Sequence, residues 1–270
     1  MRALKLAPEQ VHTGSLILVN REHGCMEFPY ALSGSLGADA LSPLDNRFTA
    51  SVLLKRRAAV LLTGLMDEIG GWQKIVPVSG YRTLAEQTDI WESSLAEHGE
   101  AFTKAYVAFP GHSEHQTGLA IDLGLKQEHV DFICPEFPYS GICQTFREKS
   151  AKYGFILRYP GGKEDITGIG HEPWHFRYVG APHAEIMTRQ ELCLEEYIDF
   201  IKQYTFQDNP YRFMAGNQKI SVSYLKAEGM ETLLKLPENM PYTVSGNNMD
   251  GFILTEWRSE NAYQRQLRMA

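Results

Sequence analysis

Ser113-Glu114-His115-Gln116-Thr117-Gly118-Leu119-Ala120-Ile121-Asp122 is the stretch from which the rest of the chain can be read. Leu119 to Leu123 is a short apolar run that reads as a strand, and Asp122 lies inside it. Gly118 lets the backbone bend closely between His115 and Asp122. The spacing therefore brings an imidazole and a carboxylate to one place. A second segment, His171-Glu172-Pro173-Trp174-His175, supplies more residues of the same kinds. Catalytic zinc commonly takes three protein ligands of His, Asp or Glu type and keeps a fourth position for water. His115, Asp122 and His175 make up such a set. Glu172, three residues before His175, is placed to act as general base on that water without being a ligand. Taken singly, each residue has a plainer reading: one histidine among nine is more often surface or core, and an Asp can cap a turn. The joint spacing is what carries the metal site.

Upstream of this stretch, residues 49–69 carry Val52, Leu53, Val60, Leu61, Leu62, Leu65 and Met66 at helical spacing and stop at Gly70-Gly71. Lys74 to Val78 reads as a buried strand, and Ser79-Gly80-Tyr81-Arg82 turns out of it. Thr83-Leu84-Ala85-Glu86 has the form of a capping box, so a helix starts there and runs to about His98, with Gly99 as its C-cap. Arg82 and Gln87 then lie at a strand-to-helix corner, where side chains can face a cleft. Leu16 to Val19 reads as a further strand and Leu32 to Asn46 as a loop.

Downstream, Phe146 to Tyr153 is a short helix closed by Gly154. Phe155 to Tyr159 and Trp174 to Val179 are strands, and residues 182–204 form a helix. After Thr205 the texture changes to short β-like runs: Ile220 to Tyr224, Tyr242 to Val244 and Phe252 to Leu254. The expected organisation is a catalytic domain over 1–205, with an N-terminal extension over 1–45, followed by a small β-rich module over 206–270.

The bulk properties exclude several classes. The formal net charge is −7 over 270 residues, and the tightest basic run is Lys55-Arg56-Arg57 inside a helical pattern. Clustered Lys and Arg of the kind that hold a phosphate backbone are missing, so no nucleic-acid partner is expected. The most apolar segment, Ala58 to Met66, is far short of the roughly 20 residues that span a bilayer. The N-terminal MRALKLAPEQVHTG has no secretory apolar core, so the chain as it stands reads as cytoplasmic, whereas loss of an upstream leader or anchor would make it exported. The four cysteines, Cys25, Cys134, Cys143 and Cys193, form no CxxC pair, which argues against a thiolate zinc site. Cys134 and Cys143 bracket a loop and leave open a disulfide or two free thiols.

The pattern S-x-H-x-x-G-x-A-x-D followed by E-x-W-H resembles the M15 family of zinc D,D-peptidases, which includes the VanX, VanY and VanXY enzymes of vancomycin resistance. The flanks Ser79-Gly80-Tyr81-Arg82-Thr83 with Gln87, Gly154 to Pro160, and Pro173 to Gly180 extend the likeness over roughly residues 45–205. The VanY/VanXY branch is the nearest in pattern. The resemblance implies Zn2+ on His115, Asp122 and His175, Glu172 as catalytic base and Arg82 as the group that polarises the scissile carbonyl. A guanidinium suits that task because it stays charged and donates in a fixed fork. Ser113 and Gln87 match positions that contact the substrate's ends, with hydrogen bonding in a turn and on a helix surface as their structural alternatives. Trp174 braces the His175 strand or lines the pocket. Two departures stand out: His112 takes a position where relatives carry Tyr, and His171 one where an aromatic residue is common.

The implied fold is α+β, a mostly antiparallel central sheet with helices packed on it and the zinc over the sheet, as in Hedgehog signalling domains. The implied activity is hydrolysis of the D-Ala-D-Ala end of peptidoglycan peptides, as carboxypeptidase, dipeptidase or both. An L,D-carboxypeptidase acting on tetrapeptide uses the same metal set. A zinc-containing binding module without catalysis is a third reading, opposed by Glu172 and Arg82, which a binder does not need.

Overall fold

The computed structural model describes residues 1–26, 40–44, 52–216 and 218–258. The expected loop over Leu32 to Asn46 lies largely outside them, as do residues 49–51 of the expected helix over 49–69. The chain opens with β1 (Arg2–Leu6), β2 (Leu41–Pro43) and β3 (Leu53–Lys55), then α1 (Arg56–Ile69). β4 (Ile75–Ser79), α2 (Leu84–Tyr106), β5 (Ala120–Leu125) and α3 (Gly141–Ser150) follow. Next come β6 (Phe155–Leu157), α4 (Glu164–Thr167), β7 (His175–Tyr178), α5 (Ala181–Gln190) and α6 (Leu194–Lys202). The tail holds β8 (Tyr211–Ala215), β9 (Gln218–Lys226), β10 (Thr232–Leu236), β11 (Tyr242–Gly246) and β12 (Gly251–Arg258). Among the described residues no helix is long and apolar enough to cross a membrane.

Contacts divide the chain into two compact units, Val19–Glu195 and Met1–Leu18 with Glu196–Ala270. The unit Val19–Glu195 is built on a four-stranded sheet of order β4-β5-β7-β6, antiparallel throughout. This is the expected α+β architecture. Side chains of a strand alternate between faces. On β5 and β7 that puts Ile121 and Phe176 on one face, paired across the ladder, and Asp122 and His175 on the other. The first face is the core. Phe176 packs edge-on against Phe146 of α3 (ring centroids 4.8 Å apart) and Phe137 (5.5 Å), and all three rings are buried. α1 adds Ala58, Leu62, Leu65 and Met66, buried at helical spacing, and ends where Gly70 takes φ 64°. The second face carries the polar groups.

Local signals set most element ends. The Thr83 hydroxyl accepts from the Glu86 amide and the Glu86 carboxylate accepts from the Thr83 amide, so the capping box forms as read. The helix breaks at Gly99 (φ 81°, ψ 173°), one residue after its expected end, and resumes to Tyr106. The expected helix over 182–204 is divided into α5 and α6 by Glu191, which takes φ 54°. Leu16 to Val19 is buried but is not a strand: the Leu16 amide donates to Ser245 Oγ and the Leu18 amide to Asn247 O, so the segment is held without a ladder. Cys25, Cys134, Cys143 and Cys193 form no disulfide, so Cys134 and Cys143 are not bridged across their loop.

The second unit holds the four-stranded sheet β11-β12-β9-β8 and the pair β1-β10. Its β-rich character was expected. Its extent differs from the expected 206–270, because the division falls at 195/196 and the first eighteen residues join it. β1 is the cause: Arg2 pairs with Leu236 and Leu6 with Thr232. A partner so distant in sequence leaves no trace in local periodicity, so the sequence alone assigns the N-terminus to the catalytic domain as an extension.

Candidate metal and hydrolytic site

Register and one turn assemble the donor set. Asp122 and His175 are direct partners on β5 and β7, so both project from the polar face. Ser79 pairs with Asp122 on the other side, next to a register shift between Pro77 and Ser79 that re-aims the end of β4. His115 comes from the single helical turn Glu114–Thr117 before β5. Gly118 at φ 69° reverses the chain into β5, and this left-handed backbone is what favours glycine; a Cβ there would also press on Leu41 Cδ2 at 2.9 Å.

His115, Asp122 and His175 each offer one ligand atom, all within 4.8 Å of one another, and all three are buried. His115 Nε2 lies 3.1 Å from Asp122 Oδ2, and His175 Nδ1 lies 2.9 Å from Asp122 Oδ1. Donors about 2.0–2.2 Å from a tetrahedral zinc stand about 3.3–3.6 Å from each other, so little adjustment is needed to surround an ion. His115 Nδ1 is 2.6 Å from Gly80 O and donates to it, which leaves Nε2 as the lone-pair nitrogen on the site side. Apart from its approach to His175 Nδ1, Asp122 Oδ1 is buried without a hydrogen bond, which suits a carboxylate oxygen that would hold a cation. The residues fit a metal ion.

The electrostatics agree. Burial lowers the His115 imidazole to about 4, with the Arg82 charge adding to the effect, so it is a neutral ligand at pH 7. Burial works to raise Asp122, but the two histidines outweigh it and hold the carboxyl far below its usual range. Burial would lower His175, but Asp122 prevails and pushes it up to about 9. A metal cation competes with that proton for the same lone pair and reverses the balance.

Glu172 sits on the loop before β7 with its amide donating to Tyr159 O. Its Oε2 is 3.6 Å from His175 Nδ1, but it falls outside the group of His115, Asp122 and His175 whose ligand atoms all lie within 4.8 Å of one another. Burial raises it to about 8. Arg82 is held from several sides. Its Nε donates to Ser79 Oγ (2.7 Å), Nη1 to Gln87 Oε1 (3.1 Å) and Nη2 to Asp122 Oδ2 (2.9 Å). These residues line one cleft together with Ser113, Gln87 and Trp174. The structure therefore brings together every residue singled out from the sequence. Gln87 differs in detail: it is fully buried, its oxygen accepts from Arg82 and its nitrogen donates to Ala108 O. It orients Arg82 and is not a helix-surface residue. The Trp174 carbonyl accepts from the Leu123 amide and the residue lines the cleft, so it both braces and lines. His112 Nδ1 bonds to Asn20 O, and His171 bridges Tyr159 O and the Tyr139 hydroxyl, so both departures serve as loop anchors beside the site.

Three buried charges, Glu114, Arg158 and Arg177, escaped the sequence reading, together with the half-buried Glu195 beside them. Glu114, fully enclosed, accepts from Arg158 Nε (2.8 Å) and Arg177 Nη1 (2.6 Å), and Arg158 also donates to Glu195. Burial would raise Glu114, but the two guanidiniums hold it well below the carboxylate range. A signal existed: Arg158 and Arg177 each interrupt an apolar strand, and buried charges come in pairs.

A buried His, Asp and His with a carboxylate and a guanidinium alongside, above an antiparallel sheet, are the parts of a metal-assisted hydrolytic site. A family model, VanY: D-alanyl-D-alanine carboxypeptidase, matches residues 54–181. The bifunctional D-Ala-D-Ala dipeptidase and D-Ala-D-Ala carboxypeptidase VanXYC of Enterococcus gallinarum is 58% identical over 127 residues, 47% of this chain and 67% of that protein. The crystal structure of the vancomycin resistance D,D-dipeptidase VanXYg, in complex with a D-Ala-D-Ala phosphinate analog, superposes with a TM-score of 0.89 at 48% identity, covering 95% of this chain and 99% of that one. A D,D-pentapeptidase VanY structure from a VanB-type resistance cassette, in complex with Zn(II), matches with a TM-score of 0.54 at 34% identity, over 68% of this chain and 98% of that one. The chain belongs to the VanY D-alanyl-D-alanine carboxypeptidase family and is a peptidase.

Proposed function

We propose that this protein hydrolyses the terminal D-Ala-D-Ala bond of peptidoglycan precursor peptides, as a D,D-carboxypeptidase, a D,D-dipeptidase or both. The observation that carries the mechanism is the placing of Glu172 and Arg82 beside the His115, Asp122 and His175 donors in one buried cleft. The ion is Zn2+, supported by the donor set and by the Zn(II) complex of a family member. When bound there, zinc supplies Lewis-acid polarisation of the scissile carbonyl and activation of a water molecule.

The chain's own residues do the rest. Glu172 takes a proton from the water as it attacks the carbonyl carbon, and passes it to the departing amine of the terminal D-Ala as the C–N bond breaks. Its pKa, lifted by burial toward neutrality, suits a group that must both take and give a proton. Arg82, pinned by Ser79, Gln87 and Asp122, holds its charge where negative charge develops on the carbonyl oxygen. Ser113 and Trp174 line the cleft as contacts for the substrate's ends. The catalytic machinery lies wholly within Val19–Glu195. One assay tests the function: D-Ala release from D-Ala-D-Ala, tetrapeptide and pentapeptide by the zinc-loaded protein. Turnover of dipeptide or pentapeptide is expected. Turnover of tetrapeptide alone would move the protein to the L,D-carboxypeptidases, and turnover of none would leave a zinc-binding module.

A further inference from the structure

Glu114 has no part in the hydrolysis above, yet its placement is the most constrained around the site. Its Oε1 is taken by Arg158 Nε and Arg177 Nη1. Its Oε2 has no hydrogen-bond partner and faces His175 Nε2, itself without a hydrogen bond, across 3.6 Å. Both residues are buried, so water does not satisfy either atom cheaply. The other ring nitrogen of His175, Nδ1, points at Asp122 Oδ1 from 2.9 Å.

A neutral imidazole carries one proton, and only the nitrogen without it ligates a metal. His115 has its proton placed by the Gly80 carbonyl. At the corresponding nitrogen of His175 the polar group facing the ring among the described residues is the Glu114 carboxylate.

We infer that Glu114 is a positioning residue for His175, holding its proton on Nε2 so that Nδ1 is the ligating atom. The inference rests on the metal-site reading above. Arg158 and Arg177 occupy Oε1 and so leave Oε2 as the acceptor aimed at the ring. Glu195 in turn fixes the Arg158 fork through two hydrogen bonds, 2.9 and 2.7 Å. Two ligating histidines are thus set by two different devices, a backbone carbonyl and a carboxylate. Partners of this kind in other metal sites raise ligand basicity and fix the tautomer.

The test compares the full-length wild type with Glu114→Gln, an isostere whose amide nitrogen can face the ring and turn its proton toward Nδ1. Zinc affinity is measured by competition with a chromophoric chelator, on protein shown to be folded by circular dichroism. A loss of about 10–100-fold is expected in the variant. Equal affinity in the two proteins overturns the inference while leaving the metal site intact; failure of the wild type to bind zinc instead overturns the metal-site reading itself. Should Glu114→Gln not fold, the wild type alone decides. In nitrogen-15 histidine spectra of the zinc-loaded protein, His175 is expected protonated at Nε2 and metallated at Nδ1. The opposite assignment overturns the inference, and a merely structural counter-charge would not impose either.

Discussion

Asp122 and His175 stand directly opposite each other on β5 and β7, with His175 Nδ1 2.9 Å from Asp122 Oδ1. The pairing makes the site a property of sheet register. A slip of one residue would turn one of the two side chains into the core face beside Phe146. Ile121 and Phe176, the next pair along, hold that register by being buried on the opposite face.

Asp122→Asn keeps the shape of the side chain and removes its charge. The buried oxygen at this position then no longer carries the negative charge that would hold a cation, and Arg82 loses its ionic partner. Zinc affinity is expected to fall by more than the about 10–100-fold typical of losing an outer partner. D-Ala release should fall in parallel. Zinc content and rate measured on one preparation check this; a variant that retains both sinks the assignment of Asp122 as a ligand.

Glu172→Gln separates base from ligand. The side chain lies beside the donors, so zinc should stay bound at full stoichiometry, whereas kcat drops by about 10²–10⁴-fold through loss of proton transfer. KM should change little. Zinc lost together with activity would instead make Glu172 a ligand.

Much of this site was legible because its residues break local rules. A His and an Asp flanking a glycine, and a Glu three residues before a His, are conspicuous in any strand-and-turn pattern. The capping box at Thr83 and the glycine stops at Gly70 and Gly154 were legible for the same reason, since their cause is local. Two kinds of feature were not. The β1-β10 pairing joins residues far apart in sequence, and neither strand announces its partner. The Glu114-Arg158-Arg177-Glu195 cluster is equally non-local: Arg158 and Arg177 stand out inside their strands, but neither names Glu114 or Glu195 as its partner until the fold brings the four together.

Gly118→Ala tests the turn that delivers His115. At φ 69° a Cβ costs about 1–2 kcal/mol on backbone grounds alone. It would also press on Leu41 Cδ2 at 2.9 Å and Lys55 Cγ at 3.3 Å. Gly70→Ala is the matched control: it has φ 64° and nothing within 4 Å of the added carbon. The two variants should share the backbone penalty, about 2–4 °C in Tm for each kcal/mol in a domain of this size. Gly118→Ala alone should lose further stability and weaken zinc binding. Equal zinc affinity in the two variants would show that the turn does not set the position of His115.

His183 gives an acid-side prediction independent of the metal donors. It lies on α5, is 5% exposed, and burial lowers it from 6.5 to about 3. Unfolded, it takes up a proton near pH 6.5; folded, it does so only near 3. Between those values the unfolded chain binds the extra proton, so stability falls as the pH drops through that window, by up to about 1.4 kcal/mol per pH unit. Above 6.5 the residue adds nothing to the pH dependence. His183→Gln removes this titration and leaves every other group in place. Denaturant unfolding of both proteins from pH 7.5 to pH 4 should therefore give a stability difference that is flat above about 6.5 and shifts steadily in the variant's favour below it. A difference constant across the whole range would mean that His183 titrates alike in both states, and that the packing around α5 admits a charged ring.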